Sequence, residues 1–362
     1  MKMGPLKGLK IVEMSAIGPV PLAGMLLADM GAEVVIIDKA NDPWIMPGDV
    51  LRRGKTAVEV DLKSAQGVAE VKQLIECADI VIEGFRPKVM ERLGLGPDEF
   101  KQSNSKLIFG RMTGWGQTGP LAETAGHDIN YIALTGALHA MGRADSPPTP
   151  PLNLVGDYGG GTMFLIMGVL AALHERKNSG KGQVIDAAIT EGTANLMTMF
   201  YTLNNIGRWT NNRQSNFLDS AAHFYDTYET SDEKYISLGS IEPHFYKLML
   251  EKLELDVEEF ANQNNPKKWP QLKQKIAAVI KGKTRDQWCE ILEGTDVCFA
   301  PVLDYTEAPQ HKQMSARNAY VELDNVIQPA PAPRFSRTQS EAGGLVENGL
   351  DIKTISQKWR TT

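Results

Sequence analysis

The sequence predicts an α/β fold: a large, Rossmann-like domain built on a parallel sheet, with a second, smaller α+β domain. Short apolar runs alternate with helical segments through the N-terminal half, which is the pattern of βαβ units. The length of 362 residues also exceeds what one hydrophobic core usually organises. We therefore expect a large domain at 1–203 that is joined by 311–362, a linker at 204–224 and a small domain at 225–310.

The first predicted unit consists of a strand at 9–14, a helix at 23–30 and a strand at 34–37. Asp38 follows the second strand, as an acidic residue does in nicotinamide-dependent enzymes. The turn at 15–21, however, contains two prolines where a pyrophosphate-binding loop needs Gly-x-Gly-x-x-Gly. The sequence therefore argues against a dinucleotide site.

The remaining elements continue the alternation of strands and helices. In the large domain, strands are predicted at 56–62, 80–83, 107–111 and 183–186, and helices at 64–77, 162–176 and 187–203. The small domain is predicted to contain a hairpin at 225–240 and helices beginning near Pro243, Pro270 and Thr284. The proline-rich tail from His311 is expected to return to the large domain and to end in a short helix.

Composition and charge limit the classes of function. A net charge of −6 gives no support for nucleic acid as a general partner. We expect no membrane association, because no N-terminal signal is evident and the apolar runs are shorter than a membrane span. Cys77, Cys289 and Cys298 are too widely spaced for a metal cluster or a disulfide framework. They suit a reducing compartment, so we expect a cytoplasmic protein.

Residues able to carry protons concentrate between Gly126 and Gly161. His127 and Asp157 each stand beside a glycine and directly before an apolar helical run. A helix start favours negative charge, so an imidazole and a carboxylate brought together there can move a proton to and from a carbon acid. The alternative from the residues alone is that Asp128 and Asp157 cap helices and His127 is an ordinary hydrogen-bonded histidine.

Basic residues lie at the ends of several predicted strands. The carboxyl ends of parallel strands meet at one edge of a sheet, so these cations are placed to bind a phosphate-rich ligand there. The alternative is that each is a solvated surface charge. The residues concerned are Lys39, Arg52, Arg53, Lys63 and Arg86.

A group of methionines lies in two predicted helices. These side chains suit either an adaptable groove for a flexible apolar ligand or the filling of a core. Glu242 precedes Pro243 at another predicted helix start, where its charge simply complements the helix dipole unless it has a catalytic role. The methionines are Met163, Met167, Met197 and Met199.

Several motifs occur together and in a fixed order along nearly the whole chain. In this combination the sequence resembles the α-methylacyl-CoA racemases of the family III CoA-transferase superfamily. The motifs are Asp-Leu-Lys at 61–63, Gly-Phe-Arg-Pro at 84–87, Arg-Leu-Gly-Leu-Gly-Pro at 92–97, Gly-Trp-Gly-Gln-Thr-Gly-Pro at 114–120, the stretches 126–131 and 153–161, Ile-Glu-Pro at 241–243 and Pro-Ala-Pro-Arg-Phe-Ser at 331–336.

The resemblance implies a cofactor-independent isomerase that forms an interlocked homodimer, in which each active site uses both subunits. By motif, His127 and Asp157 match the family's two catalytic bases, and Glu242 matches the glutamate that supports the histidine. The bases would alternate in removing and returning the α-proton of a 2-methylacyl-CoA thioester through an enolate. Backbone N–H groups at the helix start near Asp157 are expected to hold the enolate oxygen.

The resemblance also assigns residues that contact the acyl-CoA substrate, and it implies no metal or redox cofactor. At Lys39 the family often has arginine, and lysine keeps the charge but loses the planar fork that binds phosphate. The assigned positions are Lys39, Val60, Asp61, Leu62, Lys63, Gly84, Phe85, Arg86, Arg92, Gly126, His127, Asp128, Ile129, Asn130 and Tyr131.

Two other functions are open at this point. A family III CoA-transferase would use Asp157 as a nucleophile that forms covalent acyl intermediates. Such enzymes would not need His127 with Glu242, and they usually carry a glycine-rich loop where this chain reads Leu-Gly-Ser-Ile-Glu-Pro at 238–243. A non-catalytic CoA-binding protein would have no need for intact His127, Asp157 and Glu242.

Overall fold

The structure, a computed structural model, describes residues 3–40, 43 and 45–361. The chain divides into two compact units. Unit 1 contains the residues up to Ala137, Pro151–Met197 and the residues from Ser315 onward, whereas unit 2 contains Leu138–Pro150 and Thr198–Met314. The predicted α/β class with a large parallel sheet and a second, smaller unit is confirmed.

The strands and helices are numbered in chain order. The strands are β1 (Lys10–Met14), β2 (Glu33–Asp38), β3 (Thr56–Glu59), β4 (Ile80–Glu83), β5 (Ile108–Thr113), β6 (Val184–Ala188), β7 (Tyr225–Glu229), β8 (Tyr235–Gly239), β9 (Phe299–Val302), β10 (Tyr320–Leu323), β11 (Val326–Pro329) and β12 (Glu347–Asn348). The helices are α1 (Pro19–Asp29), α2 (Ala65–Ile75), α3 (Val89–Arg92), α4 (Asp128–Leu134), α5 (Ala137–Ala140), α6 (Met163–Ser179), α7 (Ile189–Leu196), α8 (Thr198–Asn205), α9 (Pro243–Lys252), α10 (Trp269–Ile280), α11 (Arg285–Leu292), α12 (Lys312–Ala316) and α13 (Ile352–Thr361). A π-helical segment, Leu154–Thr162, runs directly into α6.

Unit 1 is built on a seven-stranded sheet in which every neighbouring pair is parallel. The strand order is β12-β3-β2-β1-β4-β5-β6, so the winding direction reverses between β1 and β4. In open α/β sheets, ligands bind at such a switch point, outside the carboxyl ends of the strands. The topology therefore predicts a ligand site at the loops that follow β1 and β4.

Helices cover both faces of this sheet, because successive residues of a buried strand point to opposite sides. On one face, Val12 and Val81 pack with α2 and with α13, which contributes Trp359. On the other face, Ile11 and Ile82 pack with α1 and α6. The strands are consequently apolar on both sides, which is why their positions were readable from the sequence.

Some helix boundaries differ from the sequence prediction. α1 begins at Pro19 rather than at residue 23, because a proline without an N–H fits the first turn of a helix. The helix predicted at 187–203 is instead the end of β6 followed by α7 and α8, which are separated at Met197. The π-helical segment has no counterpart in the sequence prediction.

Unit 2 combines a three-stranded antiparallel sheet, in the order β7-β8-β9, with α9, α10 and α11. The hairpin of β7 and β8 matches the prediction, and β9 is a third strand that the prediction lacks. Residues 204–224, predicted as a linker, lie inside this unit. Within them Asn216 is buried, and its side-chain oxygen accepts the Thr210 N–H at 2.7 Å.

A buried carboxylate attaches the segment 138–150 to the core of unit 2. Asp226 accepts two hydrogen bonds of 2.9 Å from Arg143 and one of 2.6 Å from Lys273. Burial opposes ionisation, but the bonds from both cations dominate and hold the pKa of Asp226 below its usual value. The short segment is therefore part of unit 2 even though the chain on both sides of it belongs to unit 1.

The π-helical segment and α6 form one long apolar helix, Leu154–Ser179. Its length and composition are sufficient to span a membrane, which corrects the expectation that the apolar runs are too short. The core helix of a soluble protein meets the same criterion. In this structure Leu165 and Val169 are fully buried against the sheet, whereas Met163 and Met167 are exposed.

Candidate active site

A cavity of about 600 Å³ lies in unit 1 at the carboxyl ends of β1, β4 and β5. Its walls come from residues 17–20 after β1, 84–87 after β4 and 112–115 at the end of β5. This is the switch point of the sheet, where a ligand site is expected. His127 and Asp157 both line the cavity, so the fold brings together the two residues that the sequence marks as proton carriers.

Asp157 is carried by the π-helical segment. Such turns are rare and occur frequently at functional sites. The segment is anchored by a hydrogen bond of 2.8 Å from Thr162 Oγ1 to the Pro19 carbonyl. It also packs very closely against α7. A Cβ at Gly160 or Gly192 would overlap the backbone of the facing element. Glycine at both positions therefore allows the close packing that holds Asp157 in place.

The Asp157 carboxyl is half-buried, and burial, reinforced by the negative charge of Asp128, raises its pKa to about 6. A hydrogen bond from Asn153 and the proximity of His127 act in the opposite direction. The carboxyl also faces the turn before α1, where a Cβ at Gly18 would stand 2.9 Å from Asp157 Oδ2. A carboxyl with this pKa exchanges protons close to neutral pH, as a general acid and base must.

His127 stands at the N-cap of α4, and its side chain is exposed. Its N–H donates to Asn130 Oδ1 at 3.0 Å, which fixes the start of the helix. The Tyr131 hydroxyl donates to the Gly126 carbonyl, and the Tyr131 ring packs edge-on against Trp115 with 4.8 Å between ring centroids. The backbone on both sides of His127 is therefore held in place.

Asp128 is the first residue of α4, and its carboxylate is buried. Its Oδ1 accepts the Asp157 N–H at 2.7 Å, and the carboxylate also accepts the Gly156 N–H. The alternative in which Asp128 and Asp157 cap helices is wrong, because the N-cap residues are His127 and Asn153. The expectation that N–H groups near Asp157 hold an enolate also needs correction, since these two are already engaged by Asp128.

The cations assigned to CoA binding take different positions. Arg86 lines the cavity, and one of its N–H groups lies 3.5 Å from the Glu123 carbonyl. Lys39 and Lys63 follow β2 and β3 with exposed side chains, and Arg92 is exposed at the end of α3. In the described part of the chain, no three His, Cys, Asp or Glu side chains lie together in a way that would hold a metal ion.

Arg52 and Arg53, which the sequence suggested as phosphate ligands, are engaged elsewhere. Arg52 is buried in an ion pair with Asp38 at the end of β2. Arg53 is buried in an ion pair of 2.6 Å with Asp29 of α1. Because both guanidinium groups are neutralised and removed from solvent, neither is placed to meet a phosphate.

A buried ion network that the sequence prediction lacks supports the turn carrying Arg86. Arg111 on β5 donates to Glu83 on β4 at 2.9 Å and to Glu91 in α3 at 2.7 Å. The second oxygen of Glu83 accepts the Phe85 N–H at 2.7 Å. Burial raises the pKa of Glu83 to about 6 despite these partners. Glu83 and Arg111 are register neighbours across the sheet, a relation that a one-dimensional pattern does not reveal.

Other assigned substrate contacts surround the carboxyl end of β3 and the start of α4. Val60 is buried directly after β3, and Leu62 packs against the core beneath it. Asp61 Oδ1 accepts the Lys63 N–H at 2.9 Å, which forms a tight turn into α2. Ile129 exposes 45 % of its surface in the first turn of α4. These residues therefore combine a rigid backbone with a few accessible side chains.

The methionines are largely at the surface. Met163, Met167 and Met199 expose 45, 58 and 50 % of their surfaces, and Met197 is half-buried. Core filling does not describe them. An exposed methionine surface suits a ligand or partner with a flexible apolar shape.

Glu242 belongs to unit 2, where it is the N-cap residue of α9. Its side chain makes no capping hydrogen bond to the described first turn of that helix. The carboxylate is therefore free of a capping role. Its position agrees both with a charge that complements the helix dipole and with a catalytic role.

Comparison with known proteins adds an independent line of support. The sequence model of CoA-transferase family III matches residues 6–347. The α-methylacyl-CoA racemases of Mus musculus and Homo sapiens are 43 % and 40 % identical over 334 and 336 residues, covering 92 % of this chain and 87 % of each relative. A CaiB/BaiF family protein from Brucella suis has the same fold, with a TM-score of 0.83, 24 % identity and coverage of 99 % of this chain and 100 % of that one. On the extent of these matches, this chain belongs to CoA-transferase family III.

Proposed function

We propose that this protein is an α-methylacyl-CoA racemase, an isomerase that inverts the α-carbon of 2-methylacyl-CoA thioesters. The observation that carries the proposal is that His127 and Asp157 line one cavity at the switch point of the sheet. Inversion requires one group to remove a proton from one face of the α-carbon and another to return a proton to the opposite face. The two relatives that bear this name support the same conclusion at 43 and 40 % identity.

The protonation behaviour of Asp157 fits both roles. With a pKa of about 6, about one-tenth of this carboxyl is protonated at pH 7. It can thus accept the α-proton of one enantiomer in its ionised form and donate a proton to the enolate of the other in its protonated form. His127 acts in the complementary sense, as acid when Asp157 is the base and as base when Asp157 is the acid.

The enolate oxygen needs hydrogen-bond donors while the α-carbon is planar. The N–H groups of Gly156 and Asp157 are held by Asp128 and cannot serve. The N–H groups of Asp128 and Ile129, next to His127, have no acceptor among the described residues. We infer that donors on this side of the cavity, rather than those near Asp157, stabilise the enolate.

Cations at the edge of the sheet are proposed to hold the CoA phosphates. Arg86 lines the cavity, and Lys39 and Arg92 present exposed charges after β2 and in α3. The turn carrying Arg86 is rigid, because Glu83 accepts the Phe85 N–H. The lysine at position 39 offers a point charge in place of a bidentate fork, so its phosphate contact is expected to be adaptable.

We further propose that the active form is a homodimer, in which Glu242 of one subunit supports His127 of the other. The family resemblance motivates this proposal, and the exposed apolar side chains Met163, Met167 and Leu170 along one long helix agree with a surface that a second copy covers. Light scattering and sedimentation test it, and a monomer with full activity would contradict it.

We propose a cytoplasmic location without membrane or nucleic acid partners. Cys77, Cys289 and Cys298 are free thiols, and the net charge of −6 does not favour nucleic acid. The long apolar helix buries Leu165 and Val169 against the sheet, which gives its apolar composition a role in the core. Fractionation of cells that express the full chain tests this location.

A CoA-transferase is the alternative within the same family. There Asp157 would attack a thioester as an ionised nucleophile. A pKa of about 6 fits a group that takes up and releases protons. A nucleophilic role for Asp157 would also leave the presence of His127 in the same cavity unexplained. Transfer of CoA from a 2-methylacyl thioester to free carboxylates would support the alternative.

The proposed function is tested by incubating each pure enantiomer of a 2-methylacyl-CoA in deuterated water and following α-deuterium uptake by NMR. The wild-type protein is expected to racemise both enantiomers with deuterium incorporation. His127→Ala is expected to lose racemisation and to exchange slowly only the enantiomer that Asp157 deprotonates, and Asp157→Ala the reverse. Glu242→Gln should give intermediate rates, because it weakens the support of the imidazole without removing either base.

Matched control variants separate these effects from general damage. His174→Ala and Asp98→Ala remove exposed side chains of the same types outside the cavity and should leave exchange unchanged. Equal residual exchange of both enantiomers in His127→Ala would show that the two-base assignment is wrong. Absence of exchange in the wild-type protein would remove the racemase proposal itself.

A further inference from the structure

Asp128 links the two catalytic bases through a single buried side chain. It follows His127 directly in sequence, and its Oδ1 accepts the Asp157 N–H at 2.7 Å. The same carboxylate accepts the Gly156 N–H. The residue exposes only 8 % of its surface, and its Oδ2 has no hydrogen-bond partner among the described residues.

The backbone opposite Asp128 is shaped to receive this carboxylate. A Cβ at Gly156 would overlap Asp128 Oδ1 and would also press on Ile132 of α4. Any larger residue at position 156 would therefore push α4 away from the π-helical segment. A buried carboxylate with an unpaired oxygen is costly to maintain, so this contact would be poorly explained by stability alone.

We propose that Asp128 is a positioning residue for the racemisation, whose buried carboxylate fixes the backbone of the Asp157 base to the helix start that carries His127. The proposal rests on the proposed function, because it assigns the roles of acid and base to the two residues that Asp128 connects. Misplacement of a base by about 1 Å is enough to cost about 100-fold in rate. Because Asp128 follows His127 and binds the backbone of Asp157, this one side chain can prevent such misplacement.

The charge of Asp128 has a second effect on the same base. After burial, it is the largest influence that raises the pKa of Asp157, and His127 and Asn153 oppose it. Arg86 and Tyr131 line the same cavity, whereas α1 presents only Pro19 and Val20 there. Removal of the Asp128 charge should therefore lower the pKa of Asp157. Among the described residues that line the cavity, none besides Asp157 is acidic, so no neighbouring carboxylate there would compensate.

Two variants separate geometry from charge. Asp128→Asn keeps a side-chain oxygen that can accept the Asp157 N–H but removes the negative charge, whereas Asp128→Ala removes both. The enantiomer that Asp157 deprotonates is identified as the one whose exchange Asp157→Ala abolishes. We expect Asp128→Ala to slow exchange of this enantiomer about 100-fold and to slow that of its mirror image far less.

Asp128→Asn tests the effect of the charge. If Asp128 had only a structural role, this variant would not change the pH at which Asp157 titrates. Asp128→Asn is expected to slow exchange much less than Asp128→Ala does, while the acidic limb of the Asp157-dependent pH profile moves to lower pH. The direct measurement needs no substrate: the Asp157 carboxyl is titrated by NMR in protein with ¹³C-labelled aspartate, and its signal is identified by its loss in Asp157→Asn. The pKa should be lower in Asp128→Asn than in the wild type.

The outcomes distinguish this inference from the proposed function. If the wild type exchanges no α-proton, the racemase proposal fails, and the ¹³C titration still decides whether Asp128 controls Asp157. An unchanged Asp157 titration in Asp128→Asn would overturn the inference. Equal slowing of both enantiomers in Asp128→Ala would overturn it as well, since a general loss of packing affects both bases alike.

Discussion

Replacement of Asp157 by asparagine is expected to abolish racemisation and at the same time to stabilise the fold. Burial and the charge of Asp128 raise the pKa of this carboxyl from 3.8 to about 6. Above pH 6 the folded state therefore carries a carboxylate that the unfolded chain solvates better. Asparagine has nearly the same shape and no charge, so it removes this penalty and leaves the packing intact.

The expected gain follows from linkage between protonation and folding. A shift of about two pKa units corresponds to about 3 kcal/mol, and partial exposure of the carboxyl to solvent reduces this to about 1–2 kcal/mol. The gain should be complete above pH 6. It should disappear as the pH falls from 6 towards 3.8, because the folded wild type then takes up the proton that the unfolded chain does not yet bind.

The measurement is urea unfolding of the wild type and Asp157→Asn at a series of pH values between 8 and 4. Asp98→Asn serves as the control, since Asp98 is exposed and its replacement should give a small, nearly constant difference. A loss of stability at pH 8, or a gain that does not change with pH, would refute the argument that Asp157 is held in an unfavourable environment for the sake of its chemistry.

Three further predictions follow from the site and from unit 2. Lys39→Ala and Arg86→Ala should raise KM for acyl-CoA while leaving kcat nearly unchanged, because phosphate contacts act equally in the ground and transition states. An unchanged KM in both variants would count against the phosphate assignment. Gly18→Ala should lower kcat, because a Cβ would stand 2.9 Å from Asp157 Oδ2 and the φ of 72° disfavours any side chain; full activity would contradict this. Burial lowers the pKa of His223 from 6.5 to about 4, so protonation in acid favours the unfolded state. Between pH 7.5 and 4.5 this should cost about 2–3 kcal/mol of stability. Hydrogen exchange of unit 2 in His223→Gln should lack that part of the pH dependence, and identical curves for both proteins would refute the prediction.

The sequence was sufficient to predict the parallel sheet, because buried strands such as β1 and β2 are apolar on both faces. It also placed His127 and Asp157 beside glycines, directly before apolar helical runs. Their residue types and glycine-flanked positions marked these two residues as proton carriers, and the family motifs matched them to catalytic bases. A sequence pattern therefore predicts a sheet well when the fold repeats a simple topology.

Other parts of the site depend on contacts that a linear pattern does not contain. An acidic residue before a helix suggests a cap, and only the packing of α4 on the π-helical segment turns Asp128 into an acceptor for the Asp157 N–H. Arg111 reads as a polar interruption of a strand, and only the register of β4 and β5 shows that Glu83 is its partner. A glycine-rich apolar run likewise gives no indication that Leu154–Thr162 winds as a π-helix.

The order of elements in the sheet of unit 1 has a consequence for synthesis. β3 pairs on its outer side with β12, and α2 packs against α13, yet β12 and α13 come from the last part of the chain. During translation, all of unit 2 is therefore made before the edge of this sheet is covered. An uncovered strand edge invites pairing with other chains, and an unfinished core exposes apolar surface to them. We expect chains that terminate before Glu347 to aggregate rather than to accumulate as partly active enzyme. β12 and α13 therefore both complete the folded protein and protect it from aggregation once they are made.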